Sequence, residues 1–92
     1  MTVRYRKQAL GDIRDIRRYL YERSPSGAVN VFRAINAAIN LIEKHPLAAP
    51  SSSRPTVRVK IVARYPYKIF YSIIGDGIVI EHIRHTSRAP WF

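Results

Sequence analysis

Cysteine is absent from this chain of 92 residues, and its absence excludes disulfide bonds and thiolate metal sites. No apolar run approaches the roughly 18 residues that a membrane-spanning helix needs. The basic N-terminal residues are also not followed by an apolar segment of about 7–15 residues, as they would be in a secretory signal peptide. We therefore expect a protein of a reducing cytoplasm that does not associate with membranes.

Acidic residues are scarce, and basic residues outnumber them. The chain has 16 Lys and Arg against 6 Asp and Glu, which gives a formal net charge of +10. Residues 1–24 hold 7 basic and 3 acidic residues, residues 25–56 hold 3 and 1, and residues 57–92 hold 6 and 2. This balance favours an anionic partner, either nucleic acid or an acidic protein, over a merely solvated basic surface.

The N-terminal half alternates briefly and then changes to a helical period. The segment TVRYR, residues 2–6, alternates and predicts a short strand. From Ala9, apolar residues recur at helical spacing with arginines between them, which predicts an amphipathic helix with a basic outer face. Ser24 can cap a second helix, Pro25 suits its first turn, and Pro46 marks its end.

The C-terminal half carries three alternating segments, at residues 57–61, 68–74 and 78–84, which predict three strands. In the first of them, apolar residues alternate with Arg58 and Lys60, so one face is apolar and the other cationic. The Gly-Asp-Gly sequence between the second and third segments predicts a tight hairpin turn, because glycine tolerates positive φ.

The order strand, helix, helix, strand, strand, strand predicts a single α+β domain over residues 1–92. We expect a small, antiparallel-rich sheet of about four strands, packed on one face by an N-terminal helical hairpin. The other face should be open and carry Arg58, Lys60 and their neighbours.

The sequence does not suggest a metal site or a cofactor. His82 and His85 are three residues apart on a predicted strand, so their side chains point to opposite faces and cannot chelate one ion. The sequence contains neither a nucleophile elbow nor a glycine-rich phosphate loop. We therefore expect no metal and no cofactor.

A set of cations in the C-terminal half is interleaved with tyrosines. Cations beside aromatic rings suit RNA binding, through phosphate contacts and base stacking. They also suit metal-free RNA cleavage, in which such side chains share the proton transfers and stabilise the transition state. Tyr67 and Tyr71 share a face with Ile69 and Ile73, however, so we expect both tyrosines to lie in the core. The set comprises Arg58, Lys60, Arg64, Lys68, Arg84, His85 and Arg88.

Several segments resemble the RelE/ParE superfamily, toxins of type II toxin–antitoxin modules. The resemblance runs the full length of the chain, and it lies in IRDIRRYLYERSP, AINLIEKHP, YPYKIFYSI, DGIVIEHIRH and SRAPW. It implies the strand and helix order given above. It also implies one of two activities, because RelE-like members are ribosome-dependent mRNA endoribonucleases whereas ParE-like members poison DNA gyrase.

The resemblance to the ParE-like branch is the stronger one, on the segments PYKIFY and HTSRAPW. In a RelE-like protein, Lys68 would replace the arginine of the central strand and Arg88 would be the late arginine. Arg58 and Lys60 would form the basic pair before them. The C-terminal tyrosine of that branch has no counterpart here, and a histidine such as His85 occurs in both branches.

We therefore expect a ParE-like toxin that inhibits DNA gyrase by protein contact, acts as a binder rather than as an enzyme, and is neutralised by a cognate ParD-like antitoxin in a hetero-oligomer. The acidic or amphipathic tail of the antitoxin would cover the basic surface. The first alternative is a RelE-like endoribonuclease acting on the ribosome and mRNA. The second is a non-toxic nucleic-acid-binding module. The expected target- or antitoxin-binding residues are Arg58, Lys60, Arg64, Lys68, Arg84, His85, Arg88 and Trp91, and a RelE-like protein would use Lys60, Lys68, His85 and Arg88 for catalysis.

Overall fold

A computed structural model describes residues 2–86 of the chain. One strand comes first, two helices follow, and three further strands complete the domain. Arg88 and Trp91 lie outside the described residues. The order βααβββ is the one that the sequence predicts. The elements are β1 (Thr2–Tyr5), α1 (Lys7–Arg23), α2 (Pro25–Lys44), β2 (Arg58–Ile61), β3 (Tyr67–Ile74) and β4 (Gly77–His85).

The four strands form one mixed sheet in the order β1-β4-β3-β2. β1 runs parallel to β4, and the other two pairs are antiparallel. The two helices carry the chain from β1 across the sheet to β2 at the opposite edge. The antiparallel strands β2, β3 and β4 then return toward β1, which places β4 beside β1 and parallel to it. Both helices pack on one face of the sheet, here called the helix side, and the opposite face is called the outer face.

The helices pack on the sheet through the apolar stripes that the sequence predicts. In α1, Ala9 and Ile16 are buried, while α2 buries a longer stripe that includes Ile35 and Ile42. Ser24 alone separates the two helices, and its hydroxyl accepts the Gly27 N–H at 3.1 Å, so the predicted N-cap is confirmed.

The centre of the core lies between the helices and the two longest strands. Tyr67, Ile69 and Tyr71 of β3 are 4%, 0% and 0% exposed, which confirms that the two tyrosines belong to the core. Opposite them, the register changes: Phe70 pairs with His82, but Tyr71 pairs with Ile80. Glu81 therefore bulges from β4.

This bulge moves the remaining side chains of β4 to the opposite faces from those that strict alternation predicts. Ile83 joins Ile80 on the helix side, where both are buried. Arg84 instead pairs with Lys68 on the outer face, and His85 pairs with Tyr67 on the helix side. Sequence alternation alone could not reveal one inserted residue.

Candidate binding surfaces

Arg58 and Lys60 lie on the helix side of the sheet, so the expectation that they line an open outer face is wrong. Arg58 pairs with Tyr71 and Lys60 with Ile69, and both partners are core residues of the helix side. The alternation within β2 is as predicted, but its two faces are exchanged. Because β2 is an edge strand, long cationic side chains on it can pass beside the core and keep their charges near water.

Arg58 fastens the loop that connects α2 to β2. Its guanidinium donates hydrogen bonds to the carbonyl oxygens of Ala49, at 2.6 Å, and Leu47, at 3.4 Å. Next to it, the Tyr71 hydroxyl donates to the Pro46 carbonyl at 2.5 Å. Burial raises the pKa of the Tyr71 hydroxyl, and the charge of Arg58 opposes part of that rise. Arg58 therefore has a structural role, with its charge committed to loop carbonyls.

Lys68 and Arg84 form a pair of cations on the outer face. They are directly opposite each other on β3 and β4, an arrangement that is destabilising for like charges unless an anion offsets it. That anion is Asp12 of α1, whose carboxylate lies 3.7 Å from the Arg84 guanidinium. Phe70 lies on the same face, two residues from Lys68 along β3 and opposite Val59 of β2, and it is 6% exposed.

Asp12 has a structural role that was not predicted from the sequence. Its carboxylate accepts the Ile83 N–H at 3.0 Å and lies 3.1 Å from His82 Nδ1. β1 pairs with β4 only as far as Ile80. Beyond that point, the Asp12 carboxylate accepts the hydrogen bond from the edge of β4 that a neighbouring strand would otherwise accept. A sequence signal existed: Asp12 lies three residues after Ala9, within the apolar stripe of α1.

His85 packs against Tyr67 on the helix side of the sheet and not beside Lys68 and Arg84 on the outer face. Its ring meets the Tyr67 ring edge to face, with centroids 5.3 Å apart and planes at 83°. Arg64 lies in the β2–β3 connection, exposed and with a positive φ of 73°. The predicted residues therefore divide among the helix side (Arg58, Lys60, His85), the outer face (Lys68, Arg84) and a connecting loop (Arg64), while Arg88 and Trp91 fall outside the described residues.

A groove runs between α2 and the edge strand β2. It consists of two adjoining cavities, of about 390 and 480 Å³, that share Leu41, Lys60 and Ile61 in their walls. Leu41 is 48% exposed and Ile61 is 56% exposed. The groove could not be predicted from the sequence, because its residues come from a helix and a strand that are distant in the chain.

No helix within residues 2–86 has the length and apolar character to cross a membrane. Over the same part of the chain, no group of three or more His, Cys, Asp or Glu side chains is placed to hold a metal ion.

A helical hairpin on a four-stranded mixed sheet in the order βααβββ is the fold of the RelE/ParE superfamily of toxins. The model of a protein family described as the ParE toxin of the type II toxin–antitoxin system parDE matches residues 3–90. The chain therefore belongs to the ParE toxin family.

Solved structures show the same fold. A chain of the chromosomal ParDE toxin–antitoxin system of P. aeruginosa superimposes with a TM-score of 0.80 at 20% identity, covering 95% of this chain and 97% of that one. The isolated E. coli RelE toxin superimposes with a TM-score of 0.60 at 11% identity, covering 96% and 86%. A comparison with curated proteins gives no match.

Proposed function

We propose that this protein is a toxin that inhibits DNA gyrase by direct protein contact and is neutralised by a cognate ParD-like antitoxin. Membership of the ParE family supports an antitoxin partner. The net charge of +10 supports acidic partners, because it accelerates the approach of an anionic surface. The outer-face cations Lys68 and Arg84 are the residues that we assign to contact with the target.

The observation that carries this proposal is the division of the cations between two faces of the sheet. Metal-free cleavage of RNA requires that general acid, general base and charge-stabilising groups converge on one phosphate. Lys60 and His85 lie on the helix side, whereas Lys68 lies on the outer face. Three residues of the RelE-like catalytic set thus do not converge, which favours a binding surface over a nuclease site.

A gyrase supercoiling assay tests the proposal directly. The antitoxin-free protein, shown to be folded by circular dichroism, is titrated into the assay and should inhibit supercoiling at low stoichiometry. Lys68→Glu should weaken the inhibition by about tenfold or more, since a charge reversal at a target contact costs at least about 1.4 kcal/mol. Lys7→Glu makes the same charge change at an exposed position of α1 and should inhibit like the wild type.

A ribosome-dependent mRNA cleavage assay with the same preparations separates the alternative activity. Cleavage of mRNA together with no effect on gyrase would overturn the proposal and establish the endoribonuclease. Binding to free DNA or RNA with neither activity would indicate the non-toxic nucleic-acid-binding module. Equal inhibition by the Lys68→Glu and Lys7→Glu proteins would remove Lys68 from the target contact.

A further inference from the structure

A separate cavity, here called the aromatic cavity, lies on the helix side at the end of the sheet where β3 begins and β4 ends. Both helices, both of these strands and the connection from β2 to β3 contribute to its walls. Its volume of about 380 Å³ falls within the range of about 300–1,000 Å³ that is usual for small-molecule sites. Its lining residues are Tyr19, Leu20, Val31, Tyr65, Pro66, Tyr67 and His85.

Aromatic rings dominate the lining of this cavity. Tyr67 and Val31 are 4% and 5% exposed, so they belong to its floor, whereas Tyr19 is 43% exposed and belongs to its rim. Tyrosine rings offer flat faces on which a heteroaromatic ring such as a nucleobase can stack. The tyrosine hydroxyls and the His85 imidazole add groups that can form hydrogen bonds with the polar edge of such a ring.

The strand wall of the aromatic cavity is held in place by the fold itself. The Pro66 carbonyl accepts the Thr86 N–H at 2.7 Å, and the Tyr67 N–H donates to the Tyr65 carbonyl at 2.8 Å. The edge-to-face contact between His85 and Tyr67 fixes the two rings against each other. A ligand would therefore meet a wall that is already ordered, and binding would cost little conformational entropy.

Cations lie beside the rings at the mouth of the aromatic cavity. The Arg23 guanidinium carbon is 3.6 Å from the centroid of the Tyr19 ring, and the same guanidinium donates to the Tyr19 carbonyl at 2.9 Å. Arg64 is exposed and directly precedes Tyr65. No Asp or Glu is among the described residues that line the cavity. The surroundings therefore favour a ligand that carries negative charge next to a flat ring.

This combination of rings and cations distinguishes a nucleotide from other ligands. A proline-rich segment also docks on tyrosine and proline side chains, but it brings no charge to meet Arg23 and Arg64. A phosphate ion alone would use the cations and leave the aromatic lining without a role. A nucleotide uses both, because its base is flat and its phosphate is anionic.

We propose that the aromatic cavity binds a nucleotide, with the base against the tyrosine rings and the phosphate toward Arg23 or Arg64. The nucleotide is either free or one unit of a single strand, since the chemistry of the two is the same at the site. The cavity lies on the helix side, away from Lys68 and Arg84 on the outer face. Nucleotide binding would thus be a further function, independent of contact with gyrase.

Tyr19→Leu tests the proposal, with Tyr21→Leu as its matched control. Both tyrosines are on α1, at 43% and 45% exposure, but only Tyr19 lines the cavity. In isothermal titration calorimetry with AMP, Tyr19→Leu should weaken binding by about fivefold or more, as expected for the loss of a stacking ring. Tyr21→Leu should bind AMP like the wild type, and circular dichroism shows that both variants are folded.

The two parts of the nucleotide can be tested separately. Adenosine lacks the phosphate and inorganic phosphate lacks the base, so each should bind more weakly than AMP. Arg23→Gln should weaken AMP binding by about threefold and change adenosine binding less, since an exposed charge pair contributes modestly. Arg18→Gln removes an exposed cation of the same helix that does not line the cavity, and it should bind AMP like the wild type.

Heteronuclear NMR of the wild-type protein locates the site without any substitution. On addition of AMP, the amide resonances of Tyr65, Tyr67 and His85 should shift more than those of Lys68 and Arg84. A fluorescent polyadenylate strand of about ten residues, followed by anisotropy, separates the two sources. Binding of the strand at least about tenfold tighter than AMP, and equally dependent on the Tyr19 ring, would identify single-stranded nucleic acid; comparable affinities would identify the free nucleotide.

Several results would overturn the proposal. These are the absence of binding by both AMP and the strand at millimolar concentration, equal losses in the Tyr19→Leu and Tyr21→Leu proteins, and inorganic phosphate binding as tightly as AMP. Shifts confined to Lys68 and Arg84 would place the phosphate on the outer face instead. Shifts at the cavity with a proline-rich peptide, but not with AMP, would assign the cavity to that class of ligand.

Discussion

Asp12 fixes the end of β4 through contacts that no neighbouring strand provides. Asp12→Ala leaves the Ile83 N–H and the side chains of His82 and Arg84 without their carboxylate partner. We expect the substitution to lower the free energy of unfolding by about 1–3 kcal/mol, the usual cost of an unsatisfied, largely buried polar group. Urea denaturation at neutral pH measures the difference, and Asp12→Asn should lose less because it keeps an acceptor oxygen.

Asp15 supplies the control for this prediction on the same helix. Its carboxylate is 64% exposed and lies 3.4 Å from Arg14 and 3.9 Å from Arg18. Exposed ion pairs contribute little to stability, so Asp15→Ala should change the free energy of unfolding by less than about 0.5 kcal/mol. Equal losses in the Asp12→Ala and Asp15→Ala proteins would refute the role of Asp12.

Tyr71 links the core to the loop after α2 in a way that depends on pH. Tyr71→Phe keeps the buried ring and removes the hydrogen bond to the Pro46 carbonyl, so it should cost about 1 kcal/mol at pH 8. The folded-state pKa of Tyr71 is raised by burial above its ordinary value of 10.0. The folded protein therefore holds this proton more tightly than the unfolded chain, and this contribution is lost as the pH rises above about 10.

The stability difference between the wild type and Tyr71→Phe should accordingly shrink from pH 8 to about pH 11. Urea denaturation of both proteins at each pH measures it. The remaining ionisable groups titrate in both proteins and cancel from the difference. A difference that is constant over this range would show that Tyr71 does not ionise differently in the folded and unfolded states.

The hairpin between β3 and β4 depends on the backbone conformation of Gly75, at the scale of the element. Its φ is +61°, and a Cβ there would have no atom within 4 Å, so the conformation alone opposes a side chain. Gly75→Ala should lower the free energy of unfolding by about 1–2 kcal/mol. Gly11→Ala should instead raise it by about 0.5–1 kcal/mol, because alanine is the better residue within a helix.

Thermal denaturation of the two variants beside the wild type measures these shifts. The Cβ added at Gly11 would lie 3.7 Å from the Arg14 side chain, an ordinary contact, so only the helical preference should act there. Shifts of the same sign in both variants would contradict the argument.

Periodicity predicts which residues of an element share a face, but not which neighbour that face meets. The stripe of α2 and the alternation of β3 were predicted correctly, because each element places its main apolar face against the helix-side core. β3 also buries Phe70 and Ser72 on its other face. In β2, the alternation was right and the orientation wrong, since an edge strand has partly exposed residues on both faces. In β4, the bulge at Glu81 moved Ile83 to the core, and no local pattern announces such an insertion.

Contacts between distant parts of the chain explain what remained hidden in the candidate sites. Asp12 and His82 are separated by 70 positions, and the groove joins α2 to β2 across the intervening loop. Composition predicted a basic surface for anionic partners, but it could not divide the cations between two faces. That division depends on strand register, which becomes visible only in the assembled sheet.

At the scale of the whole molecule, the net charge of +10 should govern how fast the antitoxin binds and not how long it stays bound. Salt screens long-range attraction, so raising it from about 50 to 500 mM should lower the association rate constant by about tenfold or more. The dissociation rate constant should change much less, because screening acts mainly on the long-range attraction that precedes contact. Stopped-flow mixing and biolayer interferometry measure the two constants. An association rate constant independent of salt would show that the charge of the molecule does not steer its partner.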